Sequence, residues 1–408
     1  MKTKRFLIFG INYHPELTGI GKYTSEMVNW LVSQDYNCTV VTSYPYYPYW
    51  ELQKPYKNLF FKKETFAGGK LTIYRCPIYI PKKPSGLKRI IHDASFFLTS
   101  ALVFIFLIFK KKYDYVITIS PPFHIGLISL CYRFIKGSKM VYHIQDLQID
   151  AAKELNMVKS DRLFKIMFYI ENFIIKNADI VSSISDGMIK KIKKKVDREI
   201  IKLPNWADIA NFKPINNKKD LKTYWGFDRE DYIVLYSGNL GEKQGLGIII
   251  DLAVEVINNP RVKFVICGAG AYKDILLTNA KEKKLNNVTF LPLQEYEVFN
   301  RFLNMADMHL ILQKSDAGDL VMPSKLATIL SVGGLVLVTA MPGTSLYDIV
   351  KNNDIGLLAV PENVQSISNT IIENINKNND DICQRARDYA EANLSINNLM
   401  PQFLNDLL

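Results

Sequence analysis

The sequence predicts an α/β protein built from two doubly wound, Rossmann-like domains, and three observations carry that expectation. Its 408 residues exceed one ordinary hydrophobic core, so two domains of roughly 200 residues each are expected. Short runs rich in β-branched residues alternate with amphipathic helical patterns along most of the chain, the pattern of βα units feeding parallel sheets. Several of those runs stop abruptly at glycine before a helix, as RFLIFG and IVLYSG do. Polar, loop-like residues between about 201 and 220 place the linker. The first domain is expected at 1–205 and the second at 206–389, with a C-terminal helix at about 390–408 packing back on the first.

Composition bounds the class. Hydrophobic residues at 48% and charged residues at 22% mark a globular chain rather than a disordered one. Five cysteines (Cys38, Cys76, Cys131, Cys267 and Cys383) are scattered without CxxC or metal-like spacing, and read as reduced thiols of a cytoplasmic protein. The opening KTKRFLIFG has too short an apolar run for a signal peptide. A net charge of +11 suits nucleic acid, anionic lipid or a phosphorylated substrate. No zinc-finger, RNP-type or basic-helix signature accompanies it, so nucleic acid is set aside as a partner.

Arg5–Phe9 reads as the first buried strand, and a long loop containing Tyr13, His14, Glu16, Gly19 and Gly21 follows it. Long loops at strand C-termini are where α/β folds keep their sites. Gly19 and Gly21 can admit a phosphate, while His14 and Glu16 offer polar or acid–base groups. A loop histidine bonded to backbone is the plainer reading of His14. Cys38–Thr42 is the next strand, before the proline- and aromatic-rich SYPYYPYW, which suits either sugar stacking or loop packing. Leu71–Arg75 is another strand.

The most unusual segment is Phe96–Phe109, uncharged and mostly apolar, with lysines on both flanks between about 82 and 112. It is short for a bilayer span and suits either an interfacial helix or a buried core helix. Tyr115–Ile119 and Lys139–Ile144 are strands, and His143, Asp146 and Asp150 fall at or just beyond the end of the second. Catalytic groups are expected there in this fold class. An amphipathic helix over Arg162–Lys176, a strand at Asp179–Ile184 and a basic helix over Gly187–Val196 complete the first domain.

In the second domain Ile233–Tyr236 runs into Gly238, Asn239, Gly241, Gln244, Gly245 and Gly247, then a helix. Strand, glycine turn and helix together let backbone N–H groups and a helix N-terminus approach a phosphate. Val262–Ile266 ends likewise at Gly268 and Gly270. Strands at Val288–Leu291 and Met308–Leu312 lead to Pro323, Ser324 and Lys325, which open a short helix. A lysine in a first helical turn opposes the helix dipole unless an anion sits there, so Lys325 is a second phosphate signal. No acidic cluster is spaced for a divalent metal, and no metal site is expected.

Taken together, GINYHPELTGIGKYT, YPYYP, HIQDLQID, LPNWADIANF, YSGNLGEKQGL and MPSKLATILSVGG resemble the GT-B retaining glycosyltransferases of family four. Within that family the chain is similar to the colanic-acid-type transferases of bacterial polysaccharide operons, over nearly its whole length. The resemblance implies two Rossmann-like domains facing a cleft. A UDP- or GDP-linked sugar would be held mainly by the second domain and a saccharide acceptor mainly by the first, with no further cofactor. It places the donor on Gly19, Gly21, Gly238, Asn239, Lys243, Gln244, Gly268, Gly270, Ser324, Lys325 and Thr328. It places the acceptor on Tyr13, His14 and Glu16, with His143 and Asp146 on the catalytic side. Family members usually carry Arg and Lys where Asn239 and Gln244 stand, and Glu where Thr328 stands. Lys243 and Lys325 are then the candidate diphosphate cations.

An acceptor built on polyprenyl diphosphate would bring such an enzyme to the inner face of the plasma membrane, docking through about residues 82–112. A nucleotide-sugar epimerase of the same fold and a non-catalytic membrane scaffold are the rival readings. An NAD-dependent dehydrogenase is disfavoured, because no GxGxxG follows the first strand.

Overall fold

The alternation of apolar runs with helical patterns builds two separate sheets, one in each of two units. The structure, a computed structural model, describes residues 3–16, 19–154, 160–241, 244–315 and 324–407. The first unit is Met1–Pro204 with Met400–Leu408, and the second is Asn205–Leu399.

In the first unit the strands are β1 (Arg5–Phe9), β2 (Asn37–Ser43), β3 (Lys62–Phe66), β4 (Leu71–Cys76), β5 (Tyr115–Ser120), β6 (Lys139–Ile144), β7 (Ile180–Ser183) and β8 (Ile201–Lys202). Its helices are α1 (Gly19–Ser33), α2 (Gly86–Ile108), α3 (Gly126–Lys136), α4 (Gln148–Glu154), α5 (Asp161–Asn177) and α6 (Asp186–Lys195). The sheet order is β3-β4-β2-β1-β5-β6-β7-β8. Every pairing is parallel except β3 with β4.

The second unit carries β9 (Tyr232–Ser237), β10 (Val262–Cys267), β11 (Val288–Leu291), β12 (Met308–Ile311), β13 (Val336–Thr339) and β14 (Leu357–Ala359). Its helices are α7 (Lys218–Tyr224), α8 (Gly247–Glu255), α9 (Lys273–Glu282), α10 (Tyr296–Asn304), α11 (Ser324–Ser331), α12 (Ser345–Asn353), α13 (Val364–Asn374) and α14 (Asp380–Asn393). The order β11-β10-β9-β12-β13-β14 is the doubly wound dinucleotide-fold order, with its reversal between β9 and β12. Alternate residues of β9 show why both faces are covered. Tyr232, Val234 and Tyr236 join one apolar cluster, while Ile233 and Leu235 join another. A parallel strand buried on both faces needs a continuous apolar run, and IVLY supplies it. The last helix, α15 (Ile396–Leu407), ends in the first unit. There Tyr115 Oη and Lys139 Nζ each lie 3.2 Å from the Leu407 carbonyl oxygen.

Three elements differ from expectation. β3, KKETF, is polar and exposed; an edge strand needs no apolar alternation, so nothing in its composition announces it. Arg75 on β4 is buried and donates to Glu64 of β3 at 2.7 Å. The end of the stretch read as linker, 218–220, is the first turn of α7, which runs on to Tyr224. The apolar segment is longer than expected, for α2 begins at Gly86 and spans 23 residues. One face, with Phe96, Val103 and Leu107, packs into the core. The opposite face is apolar too: Leu98, Leu102 and Phe109 are 65%, 58% and 83% exposed. A fully buried core helix is therefore ruled out. By length and composition α2 is apolar enough to cross a membrane, yet one side is committed to the sheet. Lys136 of α3 donates to the carbonyls of Ile108 and Lys110 at 3.0 and 3.2 Å, closing the C-terminal end of α2.

The second unit is anchored by a buried ion pair that begins just beyond the expected linker. Lys222 of α7 donates to Asp307 at 2.7 Å and to the Asp231 carbonyl at 2.7 Å. Asp307 also accepts the Ile233 N–H at 2.7 Å, tying α7 to the start of β9. Asp307→Ala leaves that ammonium without its carboxylate partner and should lower unfolding free energy by about 3 kcal/mol. Urea unfolding followed by circular dichroism checks this; an unshifted midpoint would show the pair to be dispensable.

Candidate functional site

Ligands of open α/β sheets lie beyond the carboxyl ends of the strands, where the strand order reverses. In the second unit that point lies between β9 and β12. The turn after β9 is held by its neighbour after β10. Gly238 N donates to Cys267 O at 2.9 Å, Leu240 N to Ala269 O at 2.9 Å and Tyr272 N to Leu240 O at 3.0 Å. A Cβ on Gly268 would stand 1.9 Å from the Gly238 carbonyl oxygen, and one on Gly270, at φ +156°, 2.2 Å from that of Leu240. These two glycines, expected on the donor, serve the close approach of two loops; their conformation is consumed by packing. Gly238 sits at φ +148°. Asn239 is exposed at the tip of the turn, and its carbonyl accepts from Tyr236 Oη at 3.0 Å. Gln244 is half-buried, and its Oε1 is enclosed without a partner. Gly247 opens α8, whose N-terminus has no side-chain cap.

Lys325, the second residue of α11, lies over the Tyr236 ring at 3.8 Å from Nζ to the centroid. Its Nζ is also 3.9 Å from the position a Gly238 Cβ would take. Among the described residues no carboxylate pairs with it, and loss of hydration pushes its amine down to about 7. The ring face offsets part of that lost hydration. Thr328 follows on the same helix, half-buried. Ser324 opens the helix, as expected. Lys243, the other expected diphosphate cation, lies outside the described residues.

At the first unit's carboxyl edge the expected acceptor residues prove to be mostly structural. Glu16 is buried and accepts from Asn12 Nδ2 at 2.8 Å and from the Tyr46 and Tyr47 N–H groups at 2.9 Å. Burial raises its carboxyl even against those donors. It braces the loop after β1 to the loop after β2, and its oxygens are occupied. Gly21 is glycine because a Cβ would lie 2.8 Å from Glu16 Oε2. Tyr13 is a core ring, and burial raises its phenol. Of the three, only His14 is exposed. Its N–H donates to Ser25 Oγ at 2.7 Å and its carbonyl accepts from buried Arg75 at 2.8 Å. Partial burial and that arginine hold the imidazole below its usual range. Gly19 opens α1.

His143 is the penultimate residue of β6, at its carboxyl end. Its Nδ1 meets Ser182 Oγ at 2.9 Å, and burial pushes the imidazole down to about 4. At neutral pH it is an uncharged hydrogen-bonding group, not a proton donor of ordinary strength. Asp146 follows β6, half-buried, with its carboxyl raised by burial. Asp150 is bound to Lys195 at 2.5 Å in a group completed by Glu171 at 2.7 Å. Sequence reading passed over Asp93, the one acid of α2, although a lone carboxylate inside an apolar helix is itself a signal.

At the switch point of this doubly wound sheet, Lys325 stands beside the Gly238 turn with no carboxylate partner among the described residues. The chain belongs to the group 1 glycosyl transferases, whose family description matches residues 217–393. It is 37% identical, over 99% of both chains, to the putative colanic acid biosynthesis glycosyl transferase WcaI of Escherichia coli K12. The backbone is similar to sucrose-phosphate synthase from Thermosynechococcus elongatus, with a TM-score of 0.74 at 15% identity over 99% of both chains. It is similar also to Anabaena HepE, solved with UDP and glucose, with a TM-score of 0.69 at 15% identity over 99% of both chains. At such identities those structures speak for the GT-B fold alone. The family agrees with the resemblance drawn from the motifs, and the chain is a glycosyltransferase.

Gly268→Ala should separate the two glycine turns while leaving β9 intact. In hydrogen exchange the amides of Leu240 and Tyr272 should then exchange on the order of tenfold faster or more, with those of Val234 and Leu235 unmoved. Unchanged protection at both turns would show that the contact is not what holds them.

Proposed function

We propose that this chain transfers a sugar, with retention and without a metal, from a UDP- or GDP-linked donor to a saccharide acceptor of a bacterial cell-surface polysaccharide. The observation that carries the reading is Lys325: a desolvated amine, unpaired among the described residues, beside the Gly238 turn. A diphosphate supplies the missing negative charge, and turn N–H groups with the uncapped start of α8 add donors. In the transfer the bond from the sugar's anomeric carbon to phosphate oxygen breaks, and its electron pair leaves with the nucleoside diphosphate. The acceptor hydroxyl bonds to the same face of that carbon, and its proton passes to the departing phosphate. Lys325 stabilises the charge that grows on the leaving group. His143, neutral, and Asp146 orient hydroxyls. The similarity to WcaI supports the polysaccharide assignment.

Calorimetry with UDP-, GDP-, CDP- and ADP-sugars tests the donor reading. One nucleotide class should bind, and Lys325→Ala should weaken it at least tenfold. The lysine's low pKa gives a further signature. Above pH 7 the free amine is mostly neutral, whereas the diphosphate favours the ammonium. Binding should therefore take up close to one proton at pH 8.5, and affinity should fall with rising pH across 7.5–9 by about tenfold per unit at most. Both effects should vanish in Lys325→Ala. No binding by any nucleotide sugar would favour the scaffold reading.

The outer face of α2 supports cytoplasmic placement at the inner membrane surface, with a lipid-linked acceptor. Leu87, Ile91, Leu98, Leu102, Phe106 and Phe109 are all exposed, along about 33 Å of helix. Lys82, Lys83 and Lys88 lie at one end and Lys110, Lys111 and Lys112 at the other. Apolar burial plus attraction to anionic headgroups is the physics of an interfacial helix. The protein should sediment with phosphatidylglycerol-containing vesicles, and Leu98→Asp with Leu102→Asp should reduce that at least tenfold. Equal sedimentation of the double variant would remove α2 as the anchor.

A further inference from the structure

Five chain segments converge on the inner side of α2 at the first unit's carboxyl edge. Tyr46 follows β2, Tyr79 follows β4, His124 follows β5, Gln148 follows β6, and His92 and Asp93 lie in the second turn of α2. Because β4, β2, β5 and β6 all run the same way in the sheet, these loops share one edge. Gln148 Nε2 donates to Asp93 Oδ2 at 2.6 Å. His124 Nε2 lies 3.2 Å from the Asp93 carbonyl, and its ring packs on Phe97 at 5.4 Å. His92 is 1% exposed, with Nδ1 at 2.5 Å from the Tyr79 carbonyl. Its ring meets Tyr46 at 4.6 Å and Trp50 at 5.1 Å.

The open valences of this group are all of one kind. His92 Nδ1 faces a carbonyl and must carry the proton, so Nε2 is an acceptor, and it is buried without a partner. Gln148 Oε1 is likewise buried without a partner. Asp93 makes one side-chain hydrogen bond, through Oδ2. Among the described residues, His92 Nε2 and Gln148 Oε1 are acceptors without a partner and Asp93 has a second oxygen to offer, with the Arg89 guanidinium near enough to act on its carboxyl. A buried acceptor left unpaired costs about 1–3 kcal/mol, which a ligand rich in O–H donors recovers. Aromatic rings beside planar carboxyl and amide groups supply the flat apolar faces that sugar rings stack on.

We propose that Asp93 and Gln148, flanked by His92, form a saccharide-hydroxyl subsite of the first unit, and that it holds the acceptor sugar. The assignment rests on the glycosyltransferase reading above. Where the oxygens of Glu16 are occupied by Asn12, Tyr46 and Tyr47, this group retains acceptor atoms without partners among the described residues. The assignment also places acceptor recognition on α2, whose outer face is apolar, so one helix carries the sugar site inside and the apolar surface outside. Burial lifts the Asp93 carboxyl to about 7, and no cation lies within ion-pair distance of it among the described residues. That suits a group whose partner arrives with the substrate.

The test uses the full chain with UDP present, and methyl glycosides of glucose, galactose, mannose and fucose plus lactose and cellobiose as probes. These lack an alkyl tail and so avoid the apolar face of α2. Saturation-transfer NMR should show at least one of them binding. Asp93→Asn and Gln148→Ala should each weaken that binding tenfold or more, with UDP affinity within twofold of wild type. Absence of binding by every probe, or equal binding by both variants, would overturn the subsite and leave the open acceptors to water alone. Failure of the wild type to bind UDP, with GDP also failing to bind, would instead overturn the donor reading.

Discussion

The ammonium of Lys325 rests on the ring of Tyr236 beside Gly238, and the second unit's loops are arranged around that placement. Tyr236 is the penultimate residue of β9, and its hydroxyl reaches on to the Asn239 carbonyl, so one side chain supports the lysine and shapes the turn. The turn is fixed from its other side by the loop after β10, which approaches closely enough to forbid any Cβ at Gly268 or Gly270. An amine held so firmly, with little water and no carboxylate among the described residues, is destabilising by itself. It persists in a fold when something anionic completes it. The proposed donor site is thus a local electrostatic deficit built on a rigid frame.

Parallel sheets covered on both faces push polar chemistry to one edge, and both units obey this. Along β9 and β6 the interior is apolar on both sides, and the functional candidates appear only where the strands stop. His143 is the instructive case. At the end of β6 it has given up its charge and bonded to the neighbouring strand, which is what burial demands of an imidazole. A residue at that depth can offer a neutral hydrogen bond, while protons and charges must be handled further out.

The fold was legible because its signals are local. Arg5–Phe9, Lys139–Ile144 and Val288–Leu291 are short apolar runs bounded by turns, and each forms a strand with those limits. Edge strand β3 was illegible because an exposed edge imposes no apolar pattern, and α7 because its seven residues are mostly polar. Sequence singled out Lys325 through its conflict with the helix dipole, and the structure places it beside Tyr236 and Gly238. At Glu16, Gly21, Gly268 and Gly270 sequence saw only one of the two uses that a glycine or carboxylate has in a strand-end loop. One is to admit a ligand, and the other is to let chain segments touch. Only the distances separate them: at Gly21 and Gly268 another part of the chain already occupies the space.

The same ambiguity explains why α2 was read for its apolar residues and not for Asp93. A helix of 23 residues with lysines at both ends draws the eye to its surface, where membrane chemistry is expected. Yet an amphipathic helix is defined by two faces, and here the outward one is the more apolar. Phe96, Val103 and Leu107 anchor the inner face to the sheet, and the titratable residues His92 and Asp93 occur together near its start. Strand-end loops from β2, β4, β5 and β6 all reach that point. A carboxylate placed there is costly unless it has work to do, since the same turn with two apolar residues would simply extend the core. The cost is concentrated where the sheet's open edge meets the apolar helix, the place of the proposed acceptor subsite.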